Sequence, residues 1–177
     1  TKVIPPIDTT NLKDVPPLSV PNRLLFGPGP SNAHPSVLEA LSIQPVGHLD
    51  PFYISLMAEV QGLLRYVWQT NNRLTLPMSG TGSAAMEATL ANVIEPGDKV
   101  LVFEKGYFGI RLADMAERYG AEVRTVKESW GKAFTIDQIG DAISSFKPAI
   151  TAIVHAETST GVCQPMIGIG DLCRKHN

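Results

Sequence analysis

Three short runs with strand character, Lys99 to Phe103, Glu122 to Val126 and Ala149 to Val154, are separated by helical patterns too long to be hairpin turns. Strands spaced by helices of roughly ten to fifteen residues pair in parallel, and the helices then cover the faces of the sheet. Ala149 to Val154 has an almost continuous apolar character, the pattern of a strand buried on both sides. The predicted class is α/β: a mostly parallel sheet with helices on both faces. Ligands in such sheets collect at the carboxyl ends of strands, where loops and helix starts converge. Residues 79–83, 104–108 and 155–161 occupy such ends and form the candidate site.

Local signals fill in the remaining elements. Asp50 is placed to cap a helix with Pro51 in its first turn, and Tyr53, Met57, Val60, Leu64, Val67 and Trp68 keep helical spacing, so that face is expected in the core. Leu74 to Met78 reads as a strand, Gly82 to Val93 as a helix, and Glu95-Pro96-Gly97-Asp98 as a turn. A helix from about Phe108 to Tyr119 stops at Gly120. Thr135 and Gln138 form a capping box for a helix ending near Phe146, and a last helix starts near Ile169.

The first 30 residues are different. Pro5-Pro6, Pro16-Pro17, Pro28 and Pro30 interrupt any helical or strand period, which predicts an extended arm over 1–30. Its apolar residues Val3, Ile4, Ile7, Leu18, Val20, Leu24, Leu25 and Phe26 point to packing on a partner subunit.

A formal charge of -2, spread along 177 residues of which 18% are charged, provides no basic stripe for nucleic acid or an anionic membrane. Small-molecule partners are expected instead. No apolar run approaches the roughly 20 residues of a membrane span, and no basic-then-apolar leader opens the chain. A cytoplasmic protein is expected, with no membrane partner. Cys163 and Cys173 lack metal-ligand spacing and read as reduced, inert thiols.

The turn Met78-Ser79-Gly80-Thr81-Gly82-Ser83-Ala84-Ala85-Met86-Glu87, at an expected strand-to-helix junction, concentrates glycines and hydroxyls where an anion is best held. It lacks the lysine of a triphosphate P-loop. Gly80 to Ala85 fits the G-x-G-x-x-A dinucleotide pattern, with Glu104 at the end of the next strand, so a nicotinamide-dependent oxidoreductase stays open. Against it, some 70 residues precede the turn, and Gly106-Tyr107-Phe108-Gly109 offers an aromatic face that a dinucleotide does not need. A phosphate cradle beside an aromatic ring suits a planar phosphorylated cofactor such as pyridoxal phosphate. Each part also has a plain structural reading: small residues for close packing, Tyr107 or Phe108 as core, and Thr158, Ser159 and Thr160 as turn formers.

Taken in order, Leu25-Phe26-Gly27-Pro28-Gly29-Pro30-Ser31-Asn32, the SGTGS turn, Glu95-Pro96-Gly97-Asp98, Gly106-Tyr107-Phe108-Gly109 and His155-Ala156-Glu157-Thr158-Ser159-Thr160-Gly161 resemble the alanine:glyoxylate and serine:glyoxylate aminotransferases. These form part of the class V branch of fold-type I pyridoxal-phosphate enzymes. The resemblance runs from about residue 22 to the end and implies that residues 31–177 are the N-terminal part of a cofactor-binding large domain. It implies pyridoxal 5′-phosphate as cofactor, amino acids and 2-oxo acids as substrates, and a homodimer. By position, Thr81, Gly82 and Ser83 would hold the phosphate, Phe108 would stack on the pyridine ring, and Thr158 would reach its phenolic oxygen. Gly29 resembles backbone that passes near the substrate carboxylate.

The resemblance also implies a Schiff-base lysine and a carboxylate facing the ring nitrogen, both expected beyond Asn177, together with a carboxylate-binding arginine and a small C-terminal domain. No lysine present is a convincing substitute: Lys105 is nearest the site, but nothing in its sequence setting signals desolvation. The 177-residue chain alone is therefore expected to be inactive. A non-catalytic dimerisation fragment is a third reading. His48 and His155 are expected to be structural, and Glu104 and Glu157 supporting or solvated rather than catalytic.

Overall fold

The computed structural model describes residues 17–176. The chain divides into two compact units between Pro45 and Val46. In the first unit, residues 17–34 carry no helix or strand, and the helix α1, Pro35–Leu41, follows. Proline at the first position costs this helix no hydrogen bond, and the His34 ring nitrogen Nδ1 accepts from the Ser36 N–H as its cap. Asn32 ties the preceding segment together, accepting from Leu25 N–H at 2.7 Å and donating to the Arg23 carbonyl at 3.0 Å. Leu18, Val20, Leu24 and Phe26 are exposed. Val3, Ile4 and Ile7 of the expected arm lie outside the described residues.

The second unit opens with α2, Pro51–Trp68, capped by the Asp50 carboxylate, which accepts from Phe52 N–H at 2.8 Å. The helix forms as its cap and proline dictate, but its apolar face is not core: Tyr53, Met57, Val60 and Leu64 are half-buried, Val67 and Trp68 are exposed, and no residue of α2 is buried. Helical spacing creates a face, but burial needs a surface to receive it, and other helices occupy both faces of the sheet. Leu74 to Met78 corrects a second expectation. It is not a strand, because no strand among the described residues pairs with it.

After α3, Gly82–Val93, come β1, Lys99–Glu104; α4, Tyr107–Arg118; β2, Glu122–Lys127; α5, Ile136–Phe146; and β3, Ile150–Ile153. The sheet has the order β2-β1-β3, all parallel, with Val100 opposite both Val123 and Ile150. Because successive side chains of a strand point to opposite faces, β1 feeds two cores. Val100 and Val102 pack with Leu90, Ala113, Ala116 and Ala152 on the side of α3 and α4. Leu101 and Phe103 pack with Phe134, Ile139, Ile143 and Phe146 on the side of α5. The Phe103 and Phe134 rings meet edge-on at 5.0 Å.

The local signals that require no distant partner appear as read. Gly120, at φ +82°, closes α4 in the left-handed region that a side chain disfavours. Thr135 and Gln138 form the reciprocal capping box of α5. Beyond β3 the chain makes an antiparallel hairpin, β4, Ala156–Glu157, with β5, Val162–Cys163, before the last helix α6, Ile169–His176.

Leu101→Ala, which leaves a cavity between β1 and α5, should lower stability by about 2–5 kcal/mol in urea denaturation. Thr135→Ala, which removes one cap, should cost about 1 kcal/mol in the same measurement.

Candidate active site

Parallel strands end together, so the loops after β1 and β3 meet at one edge of the sheet, where the first turn of α3 also arrives. A cavity of 380 Å³ lies there, within the usual range of small-molecule sites. Five residues singled out from the sequence line it: Thr81, Gly82, Ser83, Phe108 and Thr158. Ala156, within the 155–161 loop of the candidate site, also lines it, and Met86 and Val154, which were not singled out, complete the wall. Met86 lies one helical turn after Gly82, and Val154 and Ala156 lead into Thr158, so helical spacing and strand-end position were the available signals.

Thr81 caps α3, its Oγ1 accepting from Ala84 N–H at 3.3 Å. Helix geometry leaves the N–H groups of Gly82 and Ser83 without an intrahelical partner. They stand at the positive end of the α3 dipole, beside the hydroxyls of Thr81 and Ser83. This is a place for a dianionic oxygen group. Phe108 is half-buried on the cavity wall, while Tyr107 is largely exposed and meets the Phe108 ring edge-on at 5.6 Å. Gly29 belongs to the first unit, and among the described residues nothing lies within 4 Å of where its Cβ would stand.

Two charged side chains lie buried behind the cavity: Lys105 departs from expectation, and Glu157 takes the supporting rather than the solvated of its two expected places. Lys105 is fully buried, and its Nζ donates to the Val154 carbonyl at 2.5 Å. Burial pushes its pKa below the usual lysine value, opposed by the negative charge of Glu157 and a smaller influence of Cys163. The desolvation that the sequence did not signal comes from strand packing. Glu157 is 1% exposed rather than solvated. Its carboxylate accepts from Phe108 N–H at 3.4 Å, Gly109 N–H at 3.2 Å and Ser159 Oγ–H at 2.6 Å.

Glu104, at the end of β1, pairs with Lys127 at 3.5 Å, so it too is not simply solvated. His155 Nε2 lies 3.6 Å from Cys163 Sγ, and both cysteines are free. His48 lines a separate cavity with Tyr53 and Met57. Among the described residues, no helix is long and apolar enough to cross a membrane.

Gly106 explains how these groups fit. Its φ of 173° is ordinary extended backbone, so glycine is required by space alone. A Cβ there would lie 2.4 Å from Glu157 Cγ and 2.6 Å from Ser159 Oγ. Gly106→Ala should therefore destabilise the protein by about 1–3 kcal/mol in urea denaturation through overpacking. Lys105 predicts a pH effect. Its folded pKa is lowered, so between that value and the ordinary one near 10.5 the unfolded chain binds more protons than the native one. Wild-type stability relative to Lys105→Met should then rise as pH increases through that window, read from denaturation midpoints at successive pH values.

The family model for aminotransferase class-V matches residues 23–177. The alanine–glyoxylate aminotransferase of Rattus norvegicus is 44% identical over 160 residues, covering 90% of this chain and 39% of the rat protein. The (S)-ureidoglycine–glyoxylate transaminase of Bacillus subtilis is also 44% identical, over 89% of this chain and 38% of that protein. Among solved structures, an alanine–glyoxylate aminotransferase from Nostoc sp. superposes with a TM-score of 0.89 at 58% identity, over 97% of this chain and 45% of that one. The chain thus spans about two fifths of the length of these curated relatives. Its α/β sheet is part of the fold-type I architecture of pyridoxal-phosphate enzymes. The chain belongs to the class-V aminotransferase family.

Proposed function

We propose that this chain supplies the phosphate cradle and ring wall of a pyridoxal-phosphate-dependent enzyme that transfers an amino group from alanine or serine to glyoxylate. The observation that carries the reading is one cavity lined by Thr81, Gly82, Ser83, Phe108 and Thr158, which come from three separated stretches of sequence. Family membership implies pyridoxal 5′-phosphate, and the residues present fit it. Partnerless N–H groups and hydroxyls at a helix start suit a phosphate monoester, and the flat Phe108 side chain suits an aromatic ring. The relatives named above have glyoxylate in common and differ in amino donor, so the acceptor is the better-supported half of the proposal.

When bound, the cofactor supplies an electron sink for the substrate's α-carbon. In this reading Thr81, Gly82 and Ser83 hold the phosphate, and Phe108 fixes the plane of the ring. Thr158 directs its hydroxyl at the phenolic oxygen, while Met86, Val154 and Ala156 exclude water from one side. Among the described residues no lysine lines the cavity, and the Lys105 amine is bound to the Val154 carbonyl behind it. We therefore assign the Schiff-base lysine and the carboxylate for the ring nitrogen to residues outside this chain, which alone would not turn over.

The proposal extends to a cytoplasmic homodimer. The dimer has as its support the exposed apolar surface of α2, including Phe52 and Trp68, and separately that of the arm, including Leu18 and Phe26. The nicotinamide alternative rests on the pattern at residues 80–85 and on Glu104; it is less favoured because the segment leading into the glycine turn is not a strand and Glu104 pairs with Lys127.

Titration of the full-length protein with pyridoxal phosphate, followed by absorbance and fluorescence, should show saturable binding that Phe108→Ala weakens by roughly tenfold, the worth of an aromatic contact of about 1.4 kcal/mol. Binding of NAD in preference to pyridoxal phosphate would overturn the reading.

A further inference from the structure

The helix α4 carries Phe108 as its second residue, yet it has no cap of its own. Gly106 stands at the N-cap position without a side chain, where serine, threonine, aspartate or asparagine would ordinarily accept from the first turn. The first-turn N–H groups are instead satisfied from across the sheet edge. Tyr107 N–H donates to Ser159 Oγ at 2.9 Å, and Phe108 and Gly109 N–H donate to the two carboxylate oxygens of Glu157. These acceptors stand 48 to 52 residues further along the chain.

The acceptors are themselves held in place. Ser159 Oγ donates to Glu157 Oε1, and Ser159 N–H reaches the same oxygen at 3.3 Å. Glu157 is at the end of β4, between Ala156 and Thr158, which line the cavity while it is buried behind them. Lys105, just before Gly106, makes a second tie between the same two segments through the Val154 carbonyl and brings positive charge toward Glu157. A buried carboxylate with N–H donors, a hydroxyl donor and a nearby ammonium is satisfied rather than stranded.

We propose that Glu157 is a positioning residue for the cofactor site: by capping α4 from the β4–β5 hairpin, it sets the Phe108 ring and the Thr158 hydroxyl in register across the cavity. The proposal rests on the reading that Phe108 and Thr158 face the cofactor. Glu157 touches neither the cavity nor a reacting atom. It acts through the two residues that do, because the start of α4 and the turn containing Thr158 share one carboxylate. An ordinary cap at position 106 would have stabilised α4 without linking it to the hairpin. The space such a side chain would need is filled by Glu157 and Ser159.

The test uses the full-length protein and pyridoxal phosphate itself, with cofactor affinity from titration and ring orientation from visible circular dichroism of the bound cofactor. Glu157→Gln retains size but presents an amide N–H to one of the helix N–H groups. It should weaken cofactor binding about tenfold and diminish the dichroic band. In a Phe108→Ala background the same change should weaken affinity by less than in wild type, since only Thr158 is then left for Glu157 to position. Ser159→Ala, which leaves the carboxylate in place, should shift affinity and dichroism in the same direction by less, and it serves if Glu157→Gln does not fold. A Glu157→Gln protein with a lowered melting temperature but unchanged affinity and dichroic band would overturn the proposal, leaving Glu157 as a structural residue only. If wild type does not bind the cofactor, or Phe108→Ala binds it as wild type does, the functional reading fails first and the proposal falls with it.

Discussion

Everything in the second unit depends on burying β1 from both sides. Val100, Leu101, Val102 and Phe103 are all fully inaccessible, so four consecutive residues must find apolar partners on alternating faces. Only a sheet with helices on both sides supplies them, and only parallel neighbours let those helices serve as the crossovers. Once β2 and β3 flank β1, the three strands finish at the same edge. The backbone there leaves the core and must turn, and the site is built from those turns.

The parts of the fold legible in the sequence are those whose causes are local. The Asp50-Pro51 start of α2, the Thr135 and Gln138 capping box and the Gly120 stop each depend on a few neighbouring residues, and each stands where it was read. Leu74 to Met78 has an equally plain strand pattern, but a strand exists by pairing and has no partner among the described residues. The apolar face of α2 is misread for the same reason: pattern shows what could be buried, and a facing surface decides whether it is. The loops after β1 and β3 were legible because strand ends converge by topology, the glycine turn through its composition, and the five cavity residues within them through the family resemblance. Met86 and Val154 were not, since an apolar residue near the site looks the same in sequence whether it lines a cavity or a core.

Lys105 and Glu157 show a different limit. A lysine after a strand is normally solvated, and for the glutamate local sequence left a supporting and a solvated place equally open. Their burial follows from the close approach of two segments about fifty residues apart, which the absence of a Cβ at Gly106 permits. Each polar group there is tolerated because the other segment satisfies it. Neither segment would bury its charge alone.

The missing local cap on α4 also bears on the order in which the protein takes shape. Capping residues normally let a helix start be defined early, from contacts a few residues apart. Here the first turn of α4 has its acceptors on a hairpin made after two further strands and a helix, so its definition waits on a long-range closure. The body of the helix can form from its own sequence, but the end that carries Phe108 is settled only when the β3 side of the sheet has docked. The cavity wall is thus completed late, and its formation reports that the sheet behind it has been assembled in the right register.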